Sequence, residues 1–429
     1  MICDFAGFLP DYVGQKPGTL ATATLELGQP VKFETRSSAR LEALAPPRRS
    51  LSERFYYPEL DAIRIFLFLG VWSYHVLPRE PNFYTDHHIP QLLASAGVVL
   101  VRACMCSLDV FFILSAFLIT ELLLRERALK GAVDLKAFYF RRLLRIWPLY
   151  FFVVAVACLF SLFDRTQTVG WAYAISFLLF AGNWMMVFHG APHGVTLVPL
   201  WSVSFEEQFY LLWPLVLRKT SKRTIGGIAV GLLLIASLAR LFLLLHHRGG
   251  DPIWYNSFAR LDSIACGILL ALALHGRATF RPGITLRLGL LCLGMLAWLV
   301  VGHYCGLLNS NPSLAGGMIG YPLMSLGSVA IFLGVLGAAQ DGFSYLKKPL
   351  LVYLGKISYG LYAFHMLSFR LVDNLFEGHS IAFSRTIAAL CALALTFLFA
   401  TASFRWLESP FLRWKQTKFT YVPSGAPSS

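Results

Sequence analysis

The sequence is poor in charged residues and contains no long hydrophilic block. Only 14% of its 429 residues are Asp, Glu, Lys or Arg, whereas 56% are hydrophobic. Soluble domains carry about a quarter charged residues, so this composition excludes an ordinary soluble protein. It predicts instead a chain that crosses a membrane several times, and we expect no soluble domain inserted into it or fused to it.

Disulfide, metal-binding and signal-peptide signatures are also missing. The eight cysteines include no CxxC pair and no spacing typical of a metal site, so we expect neither a disulfide framework nor a bound metal. The first 50 residues lack the basic and then apolar layout of a signal peptide. We therefore predict a disordered cytoplasmic tail over residues 1–54, a membrane domain over 55–414 and a second cytoplasmic tail over 415–429.

Positive charge is abundant and lies in short runs between apolar segments. The formal net charge is +14, with Lys and Arg clustered at 125–145, 218–223, 277–287, 347–348 and 413–418. Such runs are typical of cytoplasmic loops, which follow the positive-inside rule. We therefore attribute the charge to membrane topology, expect no nucleic-acid partner, and place both termini in the cytoplasm.

Eleven apolar stretches approach the roughly 20 residues that cross a bilayer. Residues 145 and 218 are both assigned to the cytoplasm although three stretches lie between them, so one of these cannot cross. The stretch 171–188, interrupted by Gly182 and Asn183, is the candidate for a re-entrant or peripheral segment. The predicted fold is an all-α polytopic membrane protein with about ten transmembrane helices and one such segment.

Two residues of the first apolar stretch bring charge and titratable chemistry into the membrane. Arg64 and His75 are 11 positions apart, which is roughly 1100° of helix rotation, so both project from one face about 16 Å apart along the axis. Polar side chains in a membrane-length segment often line a functional cavity. Alternatively, Arg64 reaches the lipid headgroups and His75 caps the far end of the helix.

Asp109 is an isolated carboxylate at the start of the second stretch, SLDVFFILSAFLIT. It is either an interfacial helix cap or a partner that pairs with Arg64 or orients His75. Chain direction favours His75, because the first stretch ends on the side of the membrane where the second begins. A carboxylate that fixes the tautomer of an imidazole is a common arrangement around a general base.

Arg142 and Arg145, within FYFRRLLRIWPLYF, are three positions apart and share a helix face. Positive-inside charge explains any single arginine here. A cluster built from Arg rather than Lys, however, suits phosphate, which guanidinium groups bind bidentately. The sequence therefore indicates a phosphorylated donor molecule on the cytoplasmic side.

Glu206 and Glu207 are adjacent acids within LWSVSFEEQFYLLWP. Two carboxylates are costly in an apolar segment unless they lie at the membrane interface. We expect one of them to face a cavity and the other to contact a partner such as Arg240.

Three other polar residues within the apolar stretches are better explained by structure than by chemistry. Arg260 and Asp262, in FARLDSIACG, predict a local ion pair at the membrane interface. His365, in ISYGLYAFH, is surrounded by aromatic residues in the sequence. We interpret it as a core or gating residue rather than a catalyst.

Seven segments, taken together and in their order, resemble the membrane-bound acyltransferase-3 family. They are PELDAIRIFLFLGVWSYHV, SLDVFFILSAFLI, FYFRRLLRIWPLYF, LWSVSFEEQFYLLWPL, FARLDSIACG, ISYGLYAFH and RWLESPFLR, and they cover most of residues 56–413. Members of this family transfer an acyl group, often acetyl, from coenzyme A to a hydroxyl group of a sugar or another acceptor.

The resemblance implies roles for the polar residues, since the family's Arg-x10-His, Arg-x-x-Arg and acidic motifs all have counterparts here. The catalytic candidates are His75, Asp109, Glu206 and Glu207. The donor-binding candidates are Arg64, Arg142 and Arg145. His75 would act as the general base, with a covalent acyl-His intermediate as the less favoured variant.

The function that the resemblance implies is that of an O-acyltransferase in the bacterial plasma membrane. Acyl-coenzyme A, expected to be acetyl-coenzyme A, would be the donor substrate, with no permanently bound cofactor. The acceptor would be a carbohydrate or glycosylated molecule, or alternatively a macrolide or another secondary metabolite. A proton-coupled transporter would also carry intramembrane Arg, His, Asp and Glu, but the missing internal repeat and the arginine cluster speak against it.

The topology can be tested with reporter fusions. A reporter fused after residue 192 should be extracytoplasmic and one fused after residue 221 cytoplasmic, because the basic run 218–223 is retained inside. Alkaline phosphatase and a fluorescent protein, which are active on opposite sides of the membrane, provide the measurement. An extracytoplasmic position for residue 221 would contradict the predicted topology.

Overall fold

The described part of the chain is helical, and no strand occurs in it. The computed structural model describes residues 56–163, 169–192, 196–276, 280–307, 309, 312–376 and 382–418. The predicted all-α fold is therefore confirmed for these residues. The predicted tail 1–54 lies outside the described residues, as does 419–429 of the second tail.

Seventeen α-helices are used below to describe the molecule. In chain order they are α1 (Pro58–Val76), α2 (Pro81–Thr85), α3 (Gln91–Ala103), α4 (Ser107–Lys130), α5 (Leu135–Phe163), α6 (Trp171–Leu178), α7 (Gly182–His189), α8 (Trp201–Lys219), α9 (Lys222–Leu245), α10 (Asp251–Trp254), α11 (Leu261–Leu274), α12 (Ile284–Val300), α13 (Leu314–Val335), α14 (Pro349–Lys356), α15 (Ser358–Phe376), α16 (Ala382–Ser403) and α17 (Ser409–Lys418).

Local signals in the sequence set several helix boundaries. Pro58 occupies the first position of α1, where its missing N–H costs nothing. The hydroxyl of Ser221 accepts a hydrogen bond from the backbone N–H of Thr224 at 3.1 Å and so caps the start of α9. Gly131 ends α4 with a φ of +77°, a left-handed conformation that glycine adopts without strain.

The number of membrane-spanning helices differs from the prediction. Among the described residues, six helical segments are long and apolar enough to cross a bilayer, and the pair α14 and α15, bent by 62°, would make seven. The predicted count of about ten is not confirmed. Three charged residues (Glu59, Asp61 and Arg64) lie in α1, and α11 has only 14 residues, about 21 Å against the roughly 30 Å of a hydrocarbon core.

The segment 171–188 forms two short helices instead of one long one. Both α6 and α7 contain eight residues, and residues 179–181 separate them. Eight residues span only about 12 Å, so neither helix can cross a bilayer. This arrangement agrees with the prediction of a re-entrant or peripheral segment.

Helix α1 lies in the interior, packed against α4, α14 and α15. A side chain at Gly355 of α14 would begin 1.9 Å from the carbonyl oxygen of Asp61, so only glycine permits this close approach. Farther along α1, the Phe68 ring contacts those of His365 in α15 and Phe397 in α16. The face of α1 that carries the polar residues therefore lies inside the helix bundle.

Candidate active site

The imidazole of His75 lies in the last turn of α1, where its own helix orients it. Its Nδ1 is 2.8 Å from the carbonyl oxygen of Val71. Because a carbonyl oxygen can only accept, Nδ1 carries the hydrogen in the neutral ring and donates it. The lone pair of Nε2 is thus left available, which is the state that a general base requires.

A second histidine lies beside His75. The side chain of His365 in α15 is fully buried, and its ring centre is 5.1 Å from that of His75. The sequence favoured a core or gating role for His365 and did not predict this contact.

Arg64 lies on the same continuous helix as His75 but is bound by a local partner. Its Nη1 donates to Oδ1 of Asp61 at 2.5 Å, and both side chains are buried. The Nε and Nη2 atoms of Arg64 have no hydrogen-bond partner among the described residues. Arg64 is therefore an ion-paired cation in the N-terminal half of α1, and His75 lies in the last turn of the same helix.

The sequence predicted that Asp109 pairs with Arg64 or orients His75, but the structure shows neither contact. Asp109 forms a different buried ion pair. Its Oδ1 is 2.5 Å from Nη2 of Arg260, and its Oδ2 accepts a hydrogen bond from Ser325 at 3.2 Å. Helix α4 presents its first turn to α11 and α13 at this point. The carboxylate therefore faces those helices, and the orientation of His75 depends on the Val71 carbonyl instead.

The predicted ion pair between Arg260 and Asp262 is also replaced. Asp262 binds Arg240 of α9 through both carboxylate oxygens, and Nη1 of Arg240 additionally donates to the carbonyl of Ala259 at 2.8 Å. Arg260 and Asp262, two positions apart in one segment, thus pair with different helices. Arg240 is consequently engaged by Asp262 and not by Glu206 or Glu207.

Glu206 and Glu207 lie beside the arginines of α5. An oxygen of Glu206 accepts a hydrogen bond from Tyr210 at 3.1 Å, and one of Glu207 accepts from the indole N–H of Trp147 at 3.1 Å. The guanidinium carbon of Arg142 lies 5.5 Å from the centre of the Tyr210 ring. The two acids therefore belong to the same polar cluster as Arg142.

Arg142 and Arg145 are both buried, with 8% and 6% of their surface exposed. In contrast, Lys136 on the same helix is exposed. Burying two guanidinium groups near the end of a membrane helix is costly unless anionic or aromatic groups face them. Membrane topology requires positive charge in the cytoplasmic loops but does not require that it be buried. The burial of Arg142 and Arg145 therefore indicates a role beyond topology.

A small internal cavity lies between the arginine cluster and the two histidines. Its volume is about 20 Å³, room for one water molecule. Ser115 and Glu206 line it on the side of Arg142, since Ser115 is hydrogen-bonded to Tyr210. Tyr362, whose carbonyl oxygen is 2.6 Å from Nδ1 of His365, lines it on the other side. The cavity thus lies between Tyr210, which is beside Arg142, and Tyr362, whose backbone is bonded to His365.

The membrane-length helices and the arginines, acids and histidines held inside them define a multi-pass membrane protein with a polar interior. Residues 57–405 match the family described as "Acyltransferase domain" (Acyl_transf_3). The chain belongs to this acyltransferase-3 family, as the seven sequence segments indicated.

Curated relatives agree with this membership. The chain is 26% identical over 412 residues to the O-acetyltransferase OatA of Staphylococcus aureus strains NCTC 8325 and COL. The aligned region covers 91% of this chain and 62% of each OatA protein. The chain thus spans about three fifths of the length of these relatives. No solved structure matches it.

The buried pair of Asp109 and Arg260 can be tested by a double-mutant cycle. Asp109→Leu and Arg260→Leu should each destabilise the protein by about 3–5 kcal/mol, because each leaves an unpaired buried charge. The double variant should be less destabilised than the sum of the two. Thermal unfolding of the detergent-purified protein measures this.

The matched control is Glu80→Ala, which removes an exposed ion pair with Arg102. It should change stability by about 1 kcal/mol or less. Additive losses in the cycle would contradict a direct interaction between Asp109 and Arg260.

Proposed function

We propose that the protein is an integral-membrane O-acyltransferase that moves an acyl group, acetyl in the first instance, from acyl-coenzyme A to a hydroxyl group of a carbohydrate or glycosylated acceptor. The observation that carries the proposal is the cavity between Arg142 and the histidine pair. Ser115 and Tyr210 connect it to Arg142, and the backbone of Tyr362 connects it to Nδ1 of His365, beside His75. Family membership supports acyl transfer, and the O-acetyltransferase relatives support acetyl as the group and oxygen as its destination.

The donor is proposed to enter at the arginine cluster. Coenzyme A carries phosphates, and the guanidinium groups of Arg142 and Arg145 would bind them bidentately. We place this end in the cytoplasm of a bacterial cell, with both termini on the same side, because the basic runs of the sequence lie there. Arg64 is a weaker candidate for phosphate binding, since Asp61 already neutralises it.

The pantetheine arm is proposed to follow the cavity between Glu206 and Tyr362. Hydroxyl and carboxyl groups along this cavity offer hydrogen-bond partners to the amide groups of the arm. In the present conformation the cavity has room for only one water molecule, so the side chains that line it must separate when the donor binds. Glu206, which the family resemblance made a catalytic candidate, would then contact the arm.

The chemistry is proposed to occur at His75. Its Nε2 takes the proton of the acceptor hydroxyl while the oxygen attacks the thioester carbonyl carbon. A bond from oxygen to carbon forms, the bond from carbon to sulfur breaks, and the leaving thiolate receives the proton from Nε2. The hydrogen bond from Nδ1 to Val71 keeps the ring in the required tautomer throughout.

Replacing His75 tests the assignment of the base. We expect His75→Ala to reduce acetyl transfer by about 10²–10⁴-fold, the contribution typical of general base catalysis. Radiolabelled acetyl-coenzyme A is supplied to inside-out membrane vesicles from a deletion strain that carries each variant, and base-labile acetate on acceptor material is counted.

His246→Ala is the matched control for His75→Ala. Nδ1 of His246 lies 2.8 Å from the carbonyl oxygen four residues earlier, as Nδ1 of His75 does, but the side chain of His246 is exposed. This variant should retain full activity. Full activity of His75→Ala would refute the assignment of the base.

Replacing the arginine pair tests the donor site. The double variant Arg142→Ala, Arg145→Ala should raise the KM for acetyl-coenzyme A by at least about tenfold, because charge-assisted hydrogen bonds to phosphate are lost. Lys136→Ala, an exposed cation of the same helix, should leave KM unchanged. Equal KM values for the double variant and the parent would show that the arginines serve topology alone.

A further inference from the structure

A loop that is held in place brings a cation beside the last turn of α1. Arg79 lies in the loop 77–80 that follows α1, and its guanidinium carbon is 4.7 Å from the centre of the Tyr74 ring. This is a cation–π contact. The carbonyl oxygen of Arg79 accepts a hydrogen bond from Nη2 of Arg102 in α3 at 2.8 Å. The charge of Arg79 also acts on the imidazole of His75, so the loop keeps this guanidinium close to the proposed base.

An acid and a phenol reach the same region from the segment that follows α9. Asp251 begins the short helix α10, and the backbone N–H of Tyr255 donates to the carbonyl of Asp251 at 3.0 Å. The Tyr255 ring packs edge-on against Trp201 of α8, with ring centres 5.2 Å apart. The charges of Arg79 and Asp251 both act on the phenol of Tyr255. Both also act on the phenol of Tyr74, so the two charged groups lie near the same pair of hydroxyls.

Arg79 and Asp251 are nevertheless not paired with each other. Within the described part of the chain, neither side chain forms an ion pair, and the Tyr255 hydroxyl forms no hydrogen bond. Arg79 is exposed, and the side chains of Asp251 and His75 are half-buried, so a ligand can reach all three. A cation, an anion and a hydroxyl thus keep hydrogen-bonding capacity beside the proposed base.

A molecule with several hydroxyl groups matches this arrangement. A hydroxyl group both donates and accepts, so neighbouring hydroxyls donate to the carboxylate of Asp251 and accept from the guanidinium of Arg79. Hydrogen bonds to charged groups are stronger than those between neutral groups. An anionic ligand would be attracted by one of the two charged groups and repelled by the other, and so would a cationic ligand. The arrangement therefore favours an uncharged polyol such as a sugar.

We propose that Arg79, Asp251 and Tyr255 form the acceptor subsite of the acyl-transfer centre. They bind hydroxyl groups of an uncharged sugar, while another hydroxyl of the same sugar reaches Nε2 of His75. The inference rests on the proposed function, in which His75 is the base, and it assigns the residues that select the acceptor. The subsite residues hold the sugar and take no proton from it.

Kinetics with defined acceptors test the subsite. Membrane vesicles from the deletion strain receive acetyl-coenzyme A and, on both sides of the membrane, the methyl glycoside of glucose, galactose or mannose. Acetylated glycoside is quantified by mass spectrometry. Asp251→Asn and Arg79→Gln should each raise the KM for the glycoside by about tenfold, because a hydrogen bond to a charged group is lost, and Tyr255→Phe should raise it by about threefold. The KM for acetyl-coenzyme A should equal that of the parent.

Asp86→Asn and Tyr304→Phe are the matched controls, since they change an exposed acid and an exposed phenol outside the subsite. Both should leave the KM for the glycoside unchanged. An unchanged KM in Asp251→Asn and Arg79→Gln would overturn the proposal.

So would an equal rise in the KM for acetyl-coenzyme A, or a loss of folded protein in proportion to the loss of activity, because either result assigns the residues to the structure and not to the acceptor.

Cyclohexylmethanol tests the chemical class of the acceptor. It keeps a six-membered ring and one primary hydroxyl but lacks the other hydroxyls of a sugar, so Arg79 and Asp251 are left without ligand partners. Its kcat/KM should be at least about 100-fold below that of the preferred glycoside, because a site built to bind hydroxyl groups rejects an analogue without them. Equal kcat/KM values would overturn the assignment of a sugar subsite.

The same vesicles separate failure of this inference from failure of the proposed function. Base-labile acetate on the vesicles' own material reports the proposed function without any added glycoside. If that acetate forms and depends on His75 while none of the three glycosides is acetylated, the subsite is overturned and the proposed function stands. If no transfer depends on His75, the base assignment is overturned and this inference with it.

Discussion

The burial of charge inside a membrane-embedded helix bundle is the constraint on which this structure depends. Four arginines of the described chain are at most 2% exposed. Each is paired with a carboxylate, in the pairs Arg64–Asp61, Arg240–Asp262, Arg260–Asp109 and Arg287–Asp341. Removing one partner of such a pair leaves an uncompensated charge in a medium of low dielectric constant. Three of the pairs join different segments of the chain and so fix how those segments are arranged.

The same pairing occupies the two carboxylates that the sequence places near the histidine-bearing end of α1 or on α1 itself. Asp109, at the start of α4, is occupied by Arg260, and Asp61 by Arg64, so the ring nitrogens of His75 and His365 find backbone carbonyls instead. A carbonyl orients an imidazole without adding a negative charge to the site. The bundle thus holds its four least exposed arginines in ion pairs, whereas His75 and His365 are bound to backbone carbonyls.

Prediction from the sequence succeeded where a local pattern carried the information. The spacing of Arg64 and His75 required only that α1 be one helix, which it is. The break in 171–188 was visible at Gly182, and the structure forms two short helices there. The predicted count of about ten spans was not confirmed, because apolar length cannot separate a lipid-facing helix from one such as α11, which is short and packed inside the protein.

The sequence by itself determined the membrane class, the helical fold, the family and the residue types that carry chemistry, because composition, helical periodicity and ordered motifs are local properties. Only the tertiary structure decided which of those residues meet. Asp109 and Arg260 are 151 positions apart, and His75 and His365 lie on helices far apart in the chain. An acid or an imidazole can pair with any complementary group, so its partner depends on how the helices pack, and no local pattern encodes that choice.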